Sequence, residues 1–113
     1  TDDNPRNENP SKIRKDIKRG IKNTKITELP NRKSAIHKAI KYLKTGELLL
    51  VAGKGHEKTQ DYGRKKLFFS DKEIILKSIK SKNQFISNLL NFSDDQIKEG
   101  LKQLNKQYKK ELK

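Results

Sequence analysis

The chain has 113 residues, of which 30% are hydrophobic and 37% charged, so it has the size of one domain with a small core. It contains no cysteine, which excludes disulfides, thiolate metal sites and a cysteine nucleophile. No apolar run is long enough for a membrane span, and the polar start does not resemble a signal peptide. The chain also lacks methionine, so we expect a processed chain or a piece of a longer protein.

The net charge of +14 raises the question of nucleic-acid binding. Of the 28 basic residues, 23 are Lys, and they are spread along the whole length. Nucleic-acid readers favour Arg for bidentate contacts, and the sequence has no aromatic platform on which bases could stack. We therefore interpret the charge as a diffuse, solvated lysine surface. A small nucleic-acid-binding module is the alternative function.

The first elements are a helix and a short strand. Asn9 can cap a helix, and Pro10 suits the first helical position because its missing N–H has no partner there. Gly20 predicts the end of this helix. Residues 25–29 are predicted to form a strand.

The next two elements predict the fold class. Apolar residues spaced three and four apart predict a helix over residues 32–43. The continuous apolar run 48–52 predicts a strand buried on both faces. Alternating helices and strands indicate an α/β sheet with parallel strands, in which ligands bind at the carboxyl ends of strands.

The second half contains a hairpin and further helices. Residues 58–69 are predicted to form a hairpin that turns near Gly63. Capping boxes at Ser70 and Ser93 predict two helix starts. The last third, residues 81–113, is predicted to form one or two amphipathic helices, which either pack on the domain or bind a partner.

The glycine-rich loop after the second predicted strand does not fit a phosphate-binding loop. That motif would require glycine at the positions of Ala52 and Glu57. A carboxylate there suits a cationic group such as an ammonium, although a tight turn with a solvated Glu57 is the simpler alternative. His56 in this loop and His37 on the preceding helix, without cysteine, do not make a metal cluster.

The chain opens with acid, amide and guanidinium groups close together. Arg6 offers a planar fork for a carboxylate, and Asn4 can donate and accept hydrogen bonds. Taken alone, the segment is equally well explained as a polar loop.

The motifs T-D-D-N-P-R, V-A-G-K-G-H-E and F-S-D-K-E, in this order, together resemble one family. The sequence is similar to the C-terminal domain of the Mur ligases that add meso-diaminopimelate to a cell-wall precursor. The resemblance covers roughly residues 1–80 and implies a Rossmann-like α/β domain that is incomplete at its N-terminus. Residues 81–113 would be a helical extension of unknown role.

The resemblance also implies a site for the incoming amino acid. Its residues would be Asp3, Asn4, Pro5, Arg6, Gly53 and Glu57. The far end of meso-diaminopimelate carries a carboxylate and an ammonium; Arg6 would bind the carboxylate, and Glu57 with Asp3 the ammonium. Lysine lacks this carboxylate, so Arg6 favours diaminopimelate. A related Mur ligase that adds a different amino acid is the alternative.

The chemistry that the resemblance implies is ATP-dependent amide formation. ATP phosphorylates a carboxylate of UDP-N-acetylmuramoyl-L-alanyl-D-glutamate, and the amine of meso-diaminopimelate attacks the acyl phosphate. ATP, Mg²⁺ and the UDP-sugar would be held mainly by preceding domains that this sequence lacks. We therefore expect no catalytic residue and no metal ligand in this chain, no activity of the chain alone, and a bacterial cytoplasmic location.

Overall fold

The computed structural model describes residues 1–89, 91 and 93–111. The described residues form four helices, which are α1 (Pro10–Gly20), α2 (Arg32–Tyr42), α3 (Asp71–Leu89) and α4 (Asp94–Glu111). They also form one sheet of two strands, β1 (Thr59–Asp61) and β2 (Lys66–Phe68). The chain divides into two compact units, Thr1–Ile79 and Lys80–Lys113.

The first two helices begin at asparagine caps. The side chain of Asn9 accepts hydrogen bonds from the backbone N–H groups of Ser11 and Lys12, at 2.9 and 3.2 Å. Asn31 accepts one from Ser34 N–H at 2.9 Å. These bonds satisfy N–H groups that have no partner within the helix. The predicted helices at Pro10 and Arg32 are confirmed.

Both predicted capping boxes lie at helix starts. Ser70 Oγ accepts a hydrogen bond from Glu73 N–H at 3.3 Å, directly before α3. At α4 the exchange is reciprocal, since Ser93 N–H donates to Gln96 Oε1 at 2.8 Å and Gln96 N–H donates to Ser93 Oγ at 3.3 Å. Short polar motifs therefore located these helix starts.

The predicted hairpin is confirmed. β1 and β2 pair antiparallel, with Gln60 opposite Leu67. Gly63 in the turn has a φ of 77°, a conformation that glycine adopts without strain.

The two strands predicted at 25–29 and 48–52 are wrong for the chain by itself. Neither segment is a strand in the described residues, and Leu48 and Leu50 are 89% and 79% exposed rather than buried. A strand requires backbone partners on a neighbouring strand, and the described residues supply none to either segment. The predicted parallel sheet is thus absent from the described residues, which combine helices with a small antiparallel sheet.

The interior of the first unit is largely polar. Its buried large apolar side chains, among the described residues, are Ile36 and Ile40 on α2. The buried polar side chains are Asp2, Arg32, Lys54, Gln60, Asp71 and Ser78. Hydrogen bonds therefore carry much of the positioning that an apolar core would otherwise supply. Within the described residues, none of the helices is long and apolar enough to cross a membrane.

Candidate functional site

Two loops that are about 50 residues apart in the sequence meet in the first unit. The amide nitrogen of Asn4 donates to Glu57 Oε2 at 2.8 Å. Lys54 Nζ donates to Asp3 Oδ1 at 3.1 Å and to Asn4 Oδ1 at 2.7 Å. Asp3 and Asn4 of the first motif thus form one cluster with Lys54 and Glu57 of the glycine loop at residues 53–57.

Lys54 lies beneath this cluster. Its side chain is 0% exposed, whereas those of Asp3 and Glu57 are each 46% exposed. The sequence analysis did not identify Lys54 as a site residue. A lysine flanked by two glycines was the signal that could have found it, because glycines let the backbone bring the lysine stem close to other groups.

A buried arginine is hydrogen-bonded to the backbone of both loops. Arg32, at the first position of α2, donates to Ala52 O at 2.9 Å and to Asp2 O at 3.4 Å. These carbonyls directly precede Gly53 and Asp3. Asp71 fixes the guanidinium through two hydrogen bonds of 2.8 and 2.7 Å and raises the pKa of Arg32.

The start of the chain is anchored by the buried Asp2. Its backbone N–H donates to Pro30 O at 3.1 Å, and its carboxylate forms an ion pair with Arg14 of α1. The hydroxyl of Tyr62 donates to Asp2 Oδ2 at 3.3 Å. Burial, and then the Asp2 charge, raise the pKa of Tyr62, so this hydroxyl keeps its proton at neutral pH. These contacts hold Asp2 in place and so restrict the positions of the next two residues, Asp3 and Asn4.

Arg6 has an unusual backbone conformation and a free side chain. Its φ is 51°, and its N–H donates to Asp61 O of β1 at 2.9 Å. The side chain is exposed, and no described residue forms an ion pair with it. A non-glycine residue in the left-handed region is strained unless its surroundings hold it, and such residues are concentrated at functional sites.

The electrostatics favour an ionised Glu57. The hydrogen bond from Asn4 lowers the pKa of Glu57 most, followed by the hydrogen bond from Lys54. Glu57 is therefore an anion at neutral pH and can accept a hydrogen bond from a cation.

The predicted site residues enclose a cleft of about 210 Å³. Five of the six line it, namely Asp3, Asn4, Pro5, Arg6 and Glu57. Helix α1 also contributes to the lining, through Pro10, Ile13, Arg14 and Ile17. The sixth, Gly53, is not in the lining. A Cβ at Gly53 would lie 3.1 Å from Asp3 Oδ2, so glycine there lets the loop approach the carboxylate.

The glycine loop does not fit the phosphates of ATP. Lys54 is the cation of the glycine loop, and carboxylate and amide oxygens surround its ammonium group. In the part of the chain that the structure describes, no group of three or more His, Cys, Asp or Glu could hold a metal ion.

Comparison with curated proteins gives one consistent result. Over 80 residues, the chain is 52% identical to the UDP-N-acetylmuramoyl-L-alanyl-D-glutamate–2,6-diaminopimelate ligase of Rickettsia montanensis. Over 80 residues it is 48% identical to a ligase of the same description, numbered 1, from Clostridium acetobutylicum. Each match covers 71% of this chain but 17% of the relative. No family model matches, and no solved structure matches.

Proposed function

Because most of this chain is homologous to the Mur ligases that add diaminopimelate, we propose that it carries their amino-acid recognition site. The complete protein would add meso-diaminopimelate to UDP-N-acetylmuramoyl-L-alanyl-D-glutamate in peptidoglycan synthesis. The observation that carries the proposal is the cleft that combines the free cation Arg6 with the anions Asp3 and Glu57.

The cleft matches the far end of meso-diaminopimelate in charge. That end bears a carboxylate and an ammonium on one carbon. The guanidinium of Arg6 suits the carboxylate, since its planar fork can donate two parallel hydrogen bonds. The ammonium then lies towards Glu57 and Asp3. At about 210 Å³ the cleft is smaller than sites for drug-sized ligands, which suits an amino-acid head rather than a nucleotide sugar.

The same arrangement discriminates against L-lysine. Lysine offers an ammonium but no carboxylate at its far end, so Arg6 would gain no partner from it. A site built to bind a polar group rejects the analogue that lacks this group, because its own charge is left unpaired. Selection of diaminopimelate therefore depends on Arg6.

ATP, Mg²⁺ and the UDP-linked substrate are proposed to bind other parts of the complete protein. The matched stretch is 17% of the relative's length. The ammonium of Lys54 in the glycine loop is committed to carboxylate and amide oxygens, and no group of acids or histidines in the described part of the chain could hold a metal ion. ATP would supply the activation of the precursor's carboxylate, and this chain would orient the attacking amino acid. We place the reaction in the bacterial cytoplasm and expect no ligation by the chain alone.

We further propose that residues 1–80 are an N-terminally incomplete Rossmann-like domain and residues 81–113 a helical extension. The exposure of Leu48 and Leu50 supports this proposal, because an apolar run of that kind is typical of a strand inside a sheet. Strands preceding residue 1 in a longer protein would supply the missing backbone partners.

The test is a titration of the isotope-labelled 113-residue chain with meso-diaminopimelate, L-lysine and L-alanine, followed by NMR. We expect saturable shifts at Asn4, Arg6 and Glu57 with meso-diaminopimelate and much weaker ones with the other two amino acids. Equal responses to meso-diaminopimelate and L-lysine would contradict the proposed specificity. A stronger response to another amino acid would favour a related Mur ligase.

A further inference from the structure

Lys54 is the one buried lysine among the described residues. Both neighbours in the sequence, Gly53 and Gly55, are exposed, and so are the carboxylate groups that Lys54 contacts. A charged side chain is rarely buried unless its charge and all its hydrogen-bonding groups are satisfied. The ammonium of Lys54 must therefore have partners that satisfy its charge.

Three oxygens surround this ammonium. They are Asn4 Oδ1 at 2.7 Å, Asp3 Oδ1 at 3.1 Å and Glu57 Oε2 at 3.4 Å. A lysine ammonium has three protons and accepts no hydrogen bond. All three donors are thus committed within the cluster, and none remains for a ligand. Lys54 can act on a ligand only through the residues that it holds.

Asn4 shows how this positioning works. Its Oδ1 accepts from Lys54 Nζ and also from the backbone N–H of Asp61, at 3.0 Å. Two donors at the oxygen leave one orientation for the amide, in which its nitrogen faces Glu57 Oε2 at 2.8 Å. Lys54 thereby fixes Asn4, and Asn4 with Lys54 fixes one oxygen of Glu57. No described residue donates a hydrogen bond to Oε1 of Glu57, so this oxygen is open to a ligand.

Lys54 also balances the charge of the cluster. Asp3 and Glu57 contribute two negative charges, and Lys54 and Arg6 contribute two positive charges. The four side chains are neutral in total, which matches an amino-acid head with one ammonium and one carboxylate. Without Lys54 the cluster would have an excess negative charge, which attracts an ammonium and repels a carboxylate.

We propose that Lys54 is a positioning residue that orients Asn4 and Glu57 and balances the charge of the cleft, so that the cleft selects a zwitterionic amino-acid head over a lone ammonium. The proposal rests on the proposed function for the identity of the ligand. It assigns to Lys54 no contact with the ligand and no step in the reaction.

The test compares Lys54→Met with Lys58→Met in the 113-residue chain. Methionine keeps the length of the stem and removes the charge, and Lys58 is an exposed lysine four residues further on. We expect the preference for meso-diaminopimelate over L-lysine to fall about tenfold in Lys54→Met, because the excess negative charge would repel the far carboxylate, which L-lysine lacks. Lys58→Met should keep the preference. An unchanged preference in Lys54→Met would overturn the proposal.

A second readout needs no ligand. The charged groups acting on Glu57 are Lys54, Arg6 and Arg32. Carboxyl NMR of the ligand-free chain should show that Glu57 titrates at a higher pH in Lys54→Met and at the unchanged pH in Lys58→Met. A side chain that served only stability would leave this titration in place. If the unsubstituted chain binds neither amino acid, the proposed function fails, while the Glu57 titration still decides whether Lys54 sets the charge of the cluster.

A third measurement avoids substitution, since Lys54→Met could fail to fold. In the unsubstituted chain, the Nζ protons of Lys54 should exchange with water far more slowly than those of Lys58, because each of them is held by an oxygen. Equally fast exchange at both lysines would contradict the three hydrogen bonds and the proposal with them.

Discussion

The turn of the hairpin packs directly against the backbone of Arg6. A Cβ built on Gly63 would lie 2.8 Å from the carbonyl oxygen of Arg6, which is closer than real Cβ contacts allow. Asp61 of the same hairpin accepts the hydrogen bond from Arg6 N–H at 2.9 Å. The hairpin therefore supports the left-handed conformation of Arg6 and sets where its guanidinium enters the cleft.

We expect Gly63→Ala to weaken the binding of meso-diaminopimelate by about tenfold or more, since displaced or strained backbone costs about 1–3 kcal/mol. The matched control is Gly46→Ala. Gly46 also has a positive φ, of 85°, but a Cβ there would meet nothing within 4 Å. Calorimetric titration of both variants measures the affinity. Both substitutions strain the backbone, but only Gly63→Ala also displaces Arg6, so equal affinities would show that the hairpin does not position Arg6.

Arg6→Ala should remove the partner of the ligand's far carboxylate. We expect the affinity for meso-diaminopimelate to fall by about 10–100-fold, because hydrogen bonds to charged groups contribute about 1.5–3 kcal/mol. The weak affinity for L-lysine should change little. Arg64→Ala, at an exposed arginine of the hairpin turn, is the control. An unchanged affinity in Arg6→Ala would show that Arg6 faces away from the ligand.

Local signals predicted the parts of the fold that depend on neighbouring residues. The caps at Asn9 and Ser70 and the turn at Gly63 depend on groups a few residues away, which are visible in the sequence. The burial of Lys54 could not be predicted in this way, because its partners Asp3 and Asn4 lie about 50 residues earlier. The family resemblance brought the two loops together but did not indicate the lysine between them.

The ion pair between Arg32 and Asp71 could not be predicted from the sequence either, because 39 residues separate the two. Their hydrogen-bonded ion pair is buried, with side-chain exposures of 5% and 6%. Removing one partner leaves the other charge buried and unpaired, so Asp71→Asn should lower the free energy of unfolding by about 3–5 kcal/mol. Asp16→Asn breaks the exposed ion pair with Arg19 and should change it by at most about 1 kcal/mol. Urea unfolding of both variants tests the contrast, and similar losses would contradict it.

The lowered pKa of Glu57 predicts how binding depends on pH. Asn4 and Lys54 stabilise the anion, so Glu57 stays ionised as the pH falls through the ordinary glutamate pKa of 4.5. Its attraction for the ligand's ammonium is therefore complete at neutral pH and is lost only below that value, as Glu57 takes up its proton.

Glu57→Gln should weaken meso-diaminopimelate binding at pH 7. It should also abolish the further loss of affinity that protonation of Glu57 causes at low pH. Glu8→Gln, at an exposed acid outside the lining of the cleft, should retain both the affinity and its pH dependence. Titrations at several pH values from 7 downward provide the measurement. A Glu57→Gln variant that binds as tightly as the unsubstituted chain would place the ammonium elsewhere.

The apolar run 48–52 is exposed in this chain and should be buried in the proposed complete domain. Leu48 and Leu50 are 89% and 79% exposed, so Leu48→Ala and Leu50→Ala in the 113-residue chain should change the free energy of unfolding by about 0.5 kcal/mol or less. If the complete protein has the proposed Rossmann-like domain, a chimera in which this chain replaces the matching stretch of the Rickettsia montanensis ligase would cover the run with neighbouring strands. There the same changes should cost about 2–5 kcal/mol each, because a buried leucine loses both transfer energy and packing. Equal effects in the chain and in the chimera would contradict the proposed Rossmann-like domain, because the exposure of these leucines would then not depend on the rest of the domain.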